Sequence, residues 1–415
     1  MPRYAFAFLA LSVAVGLVAP GLAVEASQET PVAAPVAQAI PPLDLAFDAV
    51  LKMPLRPHIK TRSRLQADLV QAALDVGRVA DATAWATQIE NWRQGLALAH
   101  IAVHHAQGRD EEAAHKAIER AEAFERTITS EDAQGWRRDR VRVRIAEAYA
   151  LLGDARKAAQ IQATATPAES GRLAAMAVRT VGDADIEKQI ATLKTIAKTG
   201  DLEQVRFALM AMAEFYGRAL AKPSAEDASM TPDAVEQHIK SAWTELPIEP
   251  RIDIVERLIQ FDVDAGPRGK ARASAHAKEV AGLVMDHNWN REQAIGLRAR
   301  VAGLYHSLGD DEAASKVAND ALTLYETSRE GIVSIYRGEA LRPLAEAFLA
   351  LGDEGTATSL YERALEEALE NPNSRPRVTD LTMTAISVAT APDYTPPRSL
   401  VVALSRASQA IGDPW

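Results

Sequence analysis

Two stretches of the chain hold residue types dense enough for chemistry. The first contains His100, His104 and His105, with His115 beyond a turn. His100 and His104 stand one helical turn apart and could present two imidazoles to one metal ion. No Asp or Glu sits between His100 and His105 to complete a ligand set, and His104 falls in a column that aromatic residues fill elsewhere in the chain. Packing therefore accounts for it better, and we expect no metal and no cofactor. The second stretch runs from Trp136 to Arg144 and places Arg137, Arg138, Arg140, Arg142 and Arg144 on one predicted helix. Arg138 and Arg142 are one turn apart and could grip the carboxylates of an acidic peptide or anionic polymer. The competing reading is a solvated face paired with Glu131, Asp139 and Glu147, which exposed ion pairs commonly form.

Neither stretch is backed by a motif that carries a mechanism. There is no Gly-rich phosphate loop, dinucleotide fingerprint, nucleophile elbow, calcium loop or HExxH helix. Trp85, Trp92, Trp243 and Trp289 are isolated on predicted helices and read as packing residues. We therefore expect no catalytic residue.

The elements that would position these side chains are marked by glycine. Polar turns recur at Gly77, Gly108, Gly153, Gly182, Gly200, Gly309 and Gly352, each followed by Asp or Arg. A helix often ends on a residue with positive φ, a conformation that costs glycine nothing. The Asp of Gly309-Asp310 and Gly352-Asp353 can then cap the next helix and face its positive dipole end. Gly77, Gly108, Gly153, Gly309 and Gly352 are the expected structural turns.

Aligned on those glycines, the flanking residues fall into columns. Ile145-Ala146, Val301-Ala302 and Leu344-Ala345 precede the turn, followed by Tyr149, Tyr305 and Phe348 and then by Leu152, Leu308 and Leu351. After it come Ala158, Gln162 and Ala165; Ala314, Ala318 and Ala321; and Ala357, Tyr361 and Ala364, each set on one helical face. These columns resemble the tetratricopeptide repeat. The resemblance implies an all-α fold, a right-handed α-solenoid of antiparallel helix pairs, whose first helices line a concave groove. Arg142, Arg298 and Arg300 lie on the helices where one branch of that family clamps peptide carboxylates, but the asparagines of the clamp are missing. Two departures stand out: Gly309 and Gly352 are 43 residues apart and Gly108 and Gly153 45, where the family period is about 34.

Composition agrees with a helical array. Aromatic residues make up 5% of the chain and there is no cysteine, which excludes a disulfide framework. A formal charge of −10 argues against nucleic acid as the ligand. Residues 1–23 read as a signal peptide, with Arg3 ahead of an apolar run from Tyr4 to Val18 and small residues at Ala23 and Ala26. Residues 24–42 read as a disordered Ala/Pro-rich spacer. Residues 43–221 and 232–415 read as two helical-repeat arrays, the second ending in capping helices that cover the last apolar face.

The expected protein is thus exported, to the periplasm or beyond the cell, with no membrane span once the signal is removed. Its expected role is to bind a protein or peptide, with Arg138, Arg142 and Arg298 as candidate contacts. An all-α polysaccharide hydrolase or lyase, working through two carboxylates across a cleft, is the first alternative. A self-associating envelope component is the second.

Overall fold

The computed structural model describes residues 41–128, 135–166, 169–180, 186–221, 231–243 and 246–415. The expected signal peptide, nearly all of the spacer, Gly182, Glu131 and the boundary around residues 222–230 lie outside that set. The described residues contain nineteen α-helices and no strand. In chain order they are α1 (Pro42–Leu51), α2 (Leu55–Asp75), α3 (Val79–Ala86), α4 (Arg93–Gln107), α5 (Glu111–Glu125), α6 (Gly135–Leu151), α7 (Ala155–Gln162), α8 (Ser170–Thr180), α9 (Ile186–Thr199) and α10 (Leu202–Ala221). They continue with α11 (Pro232–Ala242), α12 (Ile248–Asp264), α13 (Lys270–Met285), α14 (Arg291–Ser307), α15 (Asp311–Ser328), α16 (Ser334–Ala350), α17 (Glu354–Leu369), α18 (Ser374–Thr390) and α19 (Arg398–Gln409).

The glycine turns do what their chemistry requires. Gly77, Gly153, Gly309 and Gly352 have φ of 75°, 83°, 77° and 78°. At Gly352 the Schellman pair is complete: its N–H donates to Leu349 O at 2.9 Å and the Asp353 N–H to Phe348 O at 2.9 Å. Asp353 then turns round and caps α17, accepting from the Thr356 N–H at 3.0 Å, as Asp154 does for Lys157 and Asp310 for Ala313. Gly108 departs from the expectation. It keeps a right-handed φ of −75°, and Arg109 takes φ 60° instead. The capping residue fixes this register. Asp110 lies two positions after the glycine rather than one, and it is the residue just before the capping Asp that must be left-handed.

The aligned columns are the packing surface. Ala146, Ala302 and Ala345 are fully buried, as are Ala314, Ala318 and Ala321 of α15 and Ala357, Tyr361 and Ala364 of α17. Small side chains let paired helices approach closely, and each large neighbour, Tyr149 or Phe348, fills the space they leave.

Even-numbered helices touch their even-numbered successors along most of the chain, whereas odd-numbered ones seldom meet. A row whose members lie closer together than their partners is the concave row, so the even-numbered helices form the inner wall and the odd-numbered ones the outer. The row does not stop at α18, which packs against both α1 and α2, while α1 also packs against α19. The Ser408 hydroxyl donates to Leu45 O at 3.2 Å and Lys52 Nζ to Ser408 O at 2.7 Å. The array is therefore a closed ring. The terminal pair α18 and α19 covers the apolar face of the first helices, where Leu43, Phe47 and Val50 are buried. One continuous core joins residues 43–158 to residues 295–411 across that junction, and a second occupies the helices from Ala175 to Leu304.

The turn at Arg109 gives a direct test of the turn chemistry. Gly309→Ala should destabilise the fold by about 1 kcal/mol, because no side chain crowds the position and only the backbone conformation is penalised. Arg109→Gly should stabilise it by a similar amount, about 1 kcal/mol. Denaturant titrations of the two variants should therefore shift in opposite directions.

Candidate inner-wall site

The polar residues of the inner wall follow from its curvature. The Arg140 guanidinium of α6 reaches Glu203 of α10 at 2.8 Å, passing over α8, whose Arg172 meets the same carboxylate. An ion pair that skips one helix can form only on the concave side. Gly171 lets α8 settle there, since a Cβ at that position would meet the Gln204 backbone at 2.7 Å. Glu169, buried just before α8, lies 3.0 Å from Arg172 and 3.6 Å from Arg140. Further round the wall, Asp253 of α12 is held between Arg206 of α10 at 3.0 Å and Arg300 of α14 at 2.8 Å, and Arg300 also pairs with Glu256. Arg342 of α16 reaches Asp380 of α18 at 3.1 Å.

One sector of this wall is cationic. Trp92 and Trp136, at the starts of α4 and α6, meet edge to face with ring centroids 5.3 Å apart. Arg93 lies 4.8 Å over the Trp92 ring, while Arg140 and Arg137 lie 4.6 Å and 5.6 Å over that of Trp136. Burial lowers the pKa of Arg93 below the usual arginine value, Asp68 partly opposes this, and Arg64, Arg137 and Arg140 depress it further. Arg172 is lowered for the same reasons, burial first and then the charge of Arg140. Burial in turn pushes the Asp68 carboxyl up to about 6 and that of Glu169 above the carboxylate range.

The wall has a second diagnostic group. Glu346 is exposed, yet burial raises its carboxyl above the ordinary range, and its Oε1 accepts from the Ser387 hydroxyl at 2.6 Å. Asp380, buried beside Arg342, is pushed up to about 6.

The candidate residues from the sequence separate on this frame. Arg138 and Arg142 both turn away from the inner wall and meet Glu125 of α5, Arg142 at 2.6 Å. There they bridge α6 to its outer neighbour. Arg298 is half-buried on α14, with no carboxylate in ion-pair reach among the described residues. His100 takes up the Gln71 side-chain oxygen at 2.9 Å, and burial, reinforced by Arg144 and Arg172, pulls its pKa to about 3. It is therefore a neutral wall residue at physiological pH. His105 lies 3.4 Å from Asp110, and His104 packs edge to face on it. Among the described residues no three His, Asp or Glu side chains converge as a metal site would require. Arg93 and Arg172 were missed by the sequence reading, and Arg137 and Arg140 were grouped in the arginine stretch without being chosen as contacts. The signal that could have found them is the Trp-Arg pair repeated at Trp92-Arg93 and Trp136-Arg137.

A separate polar chain is sealed within the wall from α10 to α13. The Tyr216 hydroxyl donates to Asp262 at 2.7 Å, His276 Nδ1 lies 2.8 Å from the other Asp262 oxygen, and His276 Nε2 lies 3.2 Å from Glu236. Tyr216, Asp262 and His276 are at most 3% exposed, so no solute reaches them, and the chain ties α10, α11, α12 and α13 together.

No protein-family model matches the chain, and no curated protein matches it. Among solved structures, one described as a circular tandem repeat protein with novel repeat topology and enhanced subunit contact surfaces aligns over 89% of this chain and 95% of its own. The identity is 17% and the TM-score 0.23, so the likeness carries no argument and the ring rests on its own contacts.

The sealed chain makes stability depend on pH. Burial disfavours the imidazolium, but the bonds to Asp262 and Glu236 outweigh it and hold His276 at about 9, above its ordinary 6.5. Its contribution is full below pH 6.5 and is lost as the pH rises through 9. Glu236, held down to about 2 chiefly by His276, contributes above its ordinary 4.5 and loses that contribution as the pH falls through 2. The denaturation midpoint of the wild type should fall between about pH 7 and pH 10. His276→Gln should lower the midpoint at pH 7 and flatten that fall, and an unchanged pH profile would contradict the assignment.

Proposed function

We propose that this chain is an exported interaction scaffold, a divergent right-handed tetratricopeptide-like array that binds a protein or peptide on its inner wall without catalysing a reaction. The observation that carries the reading is the wall itself: a curved row of helices whose facing side chains are arginines, carboxylates and a tryptophan pair rather than the apolar lining of a small-molecule cavity. Export is proposed from the sequence alone, from the charged and apolar run ahead of Ala23.

Neither alternative gains equal support. A hydrolase needs two carboxylates free to reach a sugar, whereas Asp380 is buried against Arg342 and Glu346 is bonded to Ser387. End-to-end association needs bare end faces, and here α1 and α2 lie against α18 and α19.

Cross-linking in the native envelope followed by mass spectrometry tests the proposal. The scaffold reading expects a protein partner whose cross-links fall on the even-numbered, inner helices. Cross-links confined to the outer helices, or only between copies of this chain, would overturn it.

A further inference from the structure

Resting on the scaffold reading, we infer that the cationic sector at the start of α4, α6 and α8 is the docking site for an acidic peptide segment, recognised through its carboxylates by Arg64, Arg93, Arg140 and Arg172.

Four observations converge on this. The first is charge balance. Arg64, Arg93, Arg140 and Arg172 share the sector with Asp68, Glu169 and Glu203, in a chain whose net charge is −10. The excess cation is local and runs against the composition of the whole. The second is saturation. Glu203 is shared by two arginines and Glu169 by the same two, whereas neither Arg64 nor Arg93 has a hydrogen-bonded or ion-paired carboxylate among the described residues. Arg93 is held by stacking on Trp92, which fixes the plane of its guanidinium and leaves its donors for a ligand.

The third is the placement along the helices. The outer helices α5, α15 and α17 begin with acidic residues, Glu111 and Glu112, Asp311 and Glu312, and Glu354. The inner helices α4, α6 and α8 have none in their first turn and carry Arg93, Arg137 and Arg172 there instead. Cations at the positive end of a helix dipole oppose it, so this arrangement does not serve the stability of those helices. It does concentrate positive potential at one rim of the inner wall. The fourth is access. Arg140 and Arg172 keep 25% and 24% of their side-chain surface exposed, so the guanidiniums are ordered by the wall yet reachable from the enclosed space.

The mixture of signs favours a peptide over a phosphate polymer. Closely spaced phosphates would be driven against Glu203, Glu169 and Asp68, whereas the carboxylates of a peptide are spaced widely enough to pair with arginines between them. The Trp92–Trp136 pair adds an apolar surface for the intervening side chains.

The test uses the full chain and fluorescein-labelled octaglutamate followed by fluorescence anisotropy. Saturable binding is expected, and raising salt from about 50 to 200 mM should weaken it. An Arg93→Gln, Arg140→Gln double variant should lose about tenfold or more in affinity, while Arg298→Gln should leave it unchanged. Should the double variant prove less folded by circular dichroism, Arg93→Lys decides the matter. It keeps the charge but loses the planar fork, and it should weaken binding several-fold while melting like the wild type. The inference is overturned if octaglutamate does not bind, if the folded variants bind it as tightly as the wild type, or if inorganic polyphosphate displaces it at lower concentration. The cross-linking result stands apart: a partner captured elsewhere on the inner wall would leave the scaffold reading intact and this site refuted.

Discussion

An array of amphipathic helix pairs leaves one apolar face bare at each end, and in this chain the two bare faces cover each other. Phe47, buried and stacked on Trp85 at 4.6 Å, belongs to the same continuous core as Leu400 and Leu404 of α19. Burying a side chain of that size contributes roughly 1.5–3 kcal/mol, and α1 alone buries Leu43, Leu45, Phe47 and Val50. Closure also sets the geometry of everything inside the ring. With its ends joined, the inner row cannot straighten, and its side chains are forced into shared space.

That crowding explains the electrostatics. Glu346 is held above the ordinary carboxylate range, His100 is kept neutral, and the arginines of α4 and α8 bind their protons less firmly than usual. Around α10, α12 and α14 opposite charges alternate from helix to helix and the wall is close to neutral, as Arg206, Asp253 and Arg300 show. Around α4, α6 and α8 the balance is positive. The wall thus contains a half where ion pairs stitch adjacent helices and a half where Arg64 and Arg93 lack a bonded carboxylate among the described residues.

Much of the architecture could be read from the residues. A left-handed residue at a helix end leaves a glycine in the sequence, and a tightly packed helix face leaves alanines at fixed spacing, so the turns at Gly153, Gly309 and Gly352 and the buried columns beside them were visible. Two things were not. Ring closure depends on the sum of small rotations between successive pairs and on the fit of residues 363 positions apart, Leu45 and Ser408, and no local pattern records either. The direction of the arginine helix depends on a distant carboxylate. Arg138 and Arg142 share a face, but Glu125 claims that face for the outer side, and Arg137, Arg140 and Arg144 are left for the inner one.

Because the chain contains no cysteine, closure can be measured without background labelling. Asp48 on α1 and Val402 on α19 are both exposed, and cysteines introduced there would carry a pair of spin labels. Pulsed dipolar spectroscopy should then give one narrow distance, that of neighbouring helices about 10 Å apart plus the two label tethers. A broad distribution, or a distance approaching the roughly 80 Å that an open row of nine such helix pairs would span, would contradict the closed ring and with it the enclosed cationic wall.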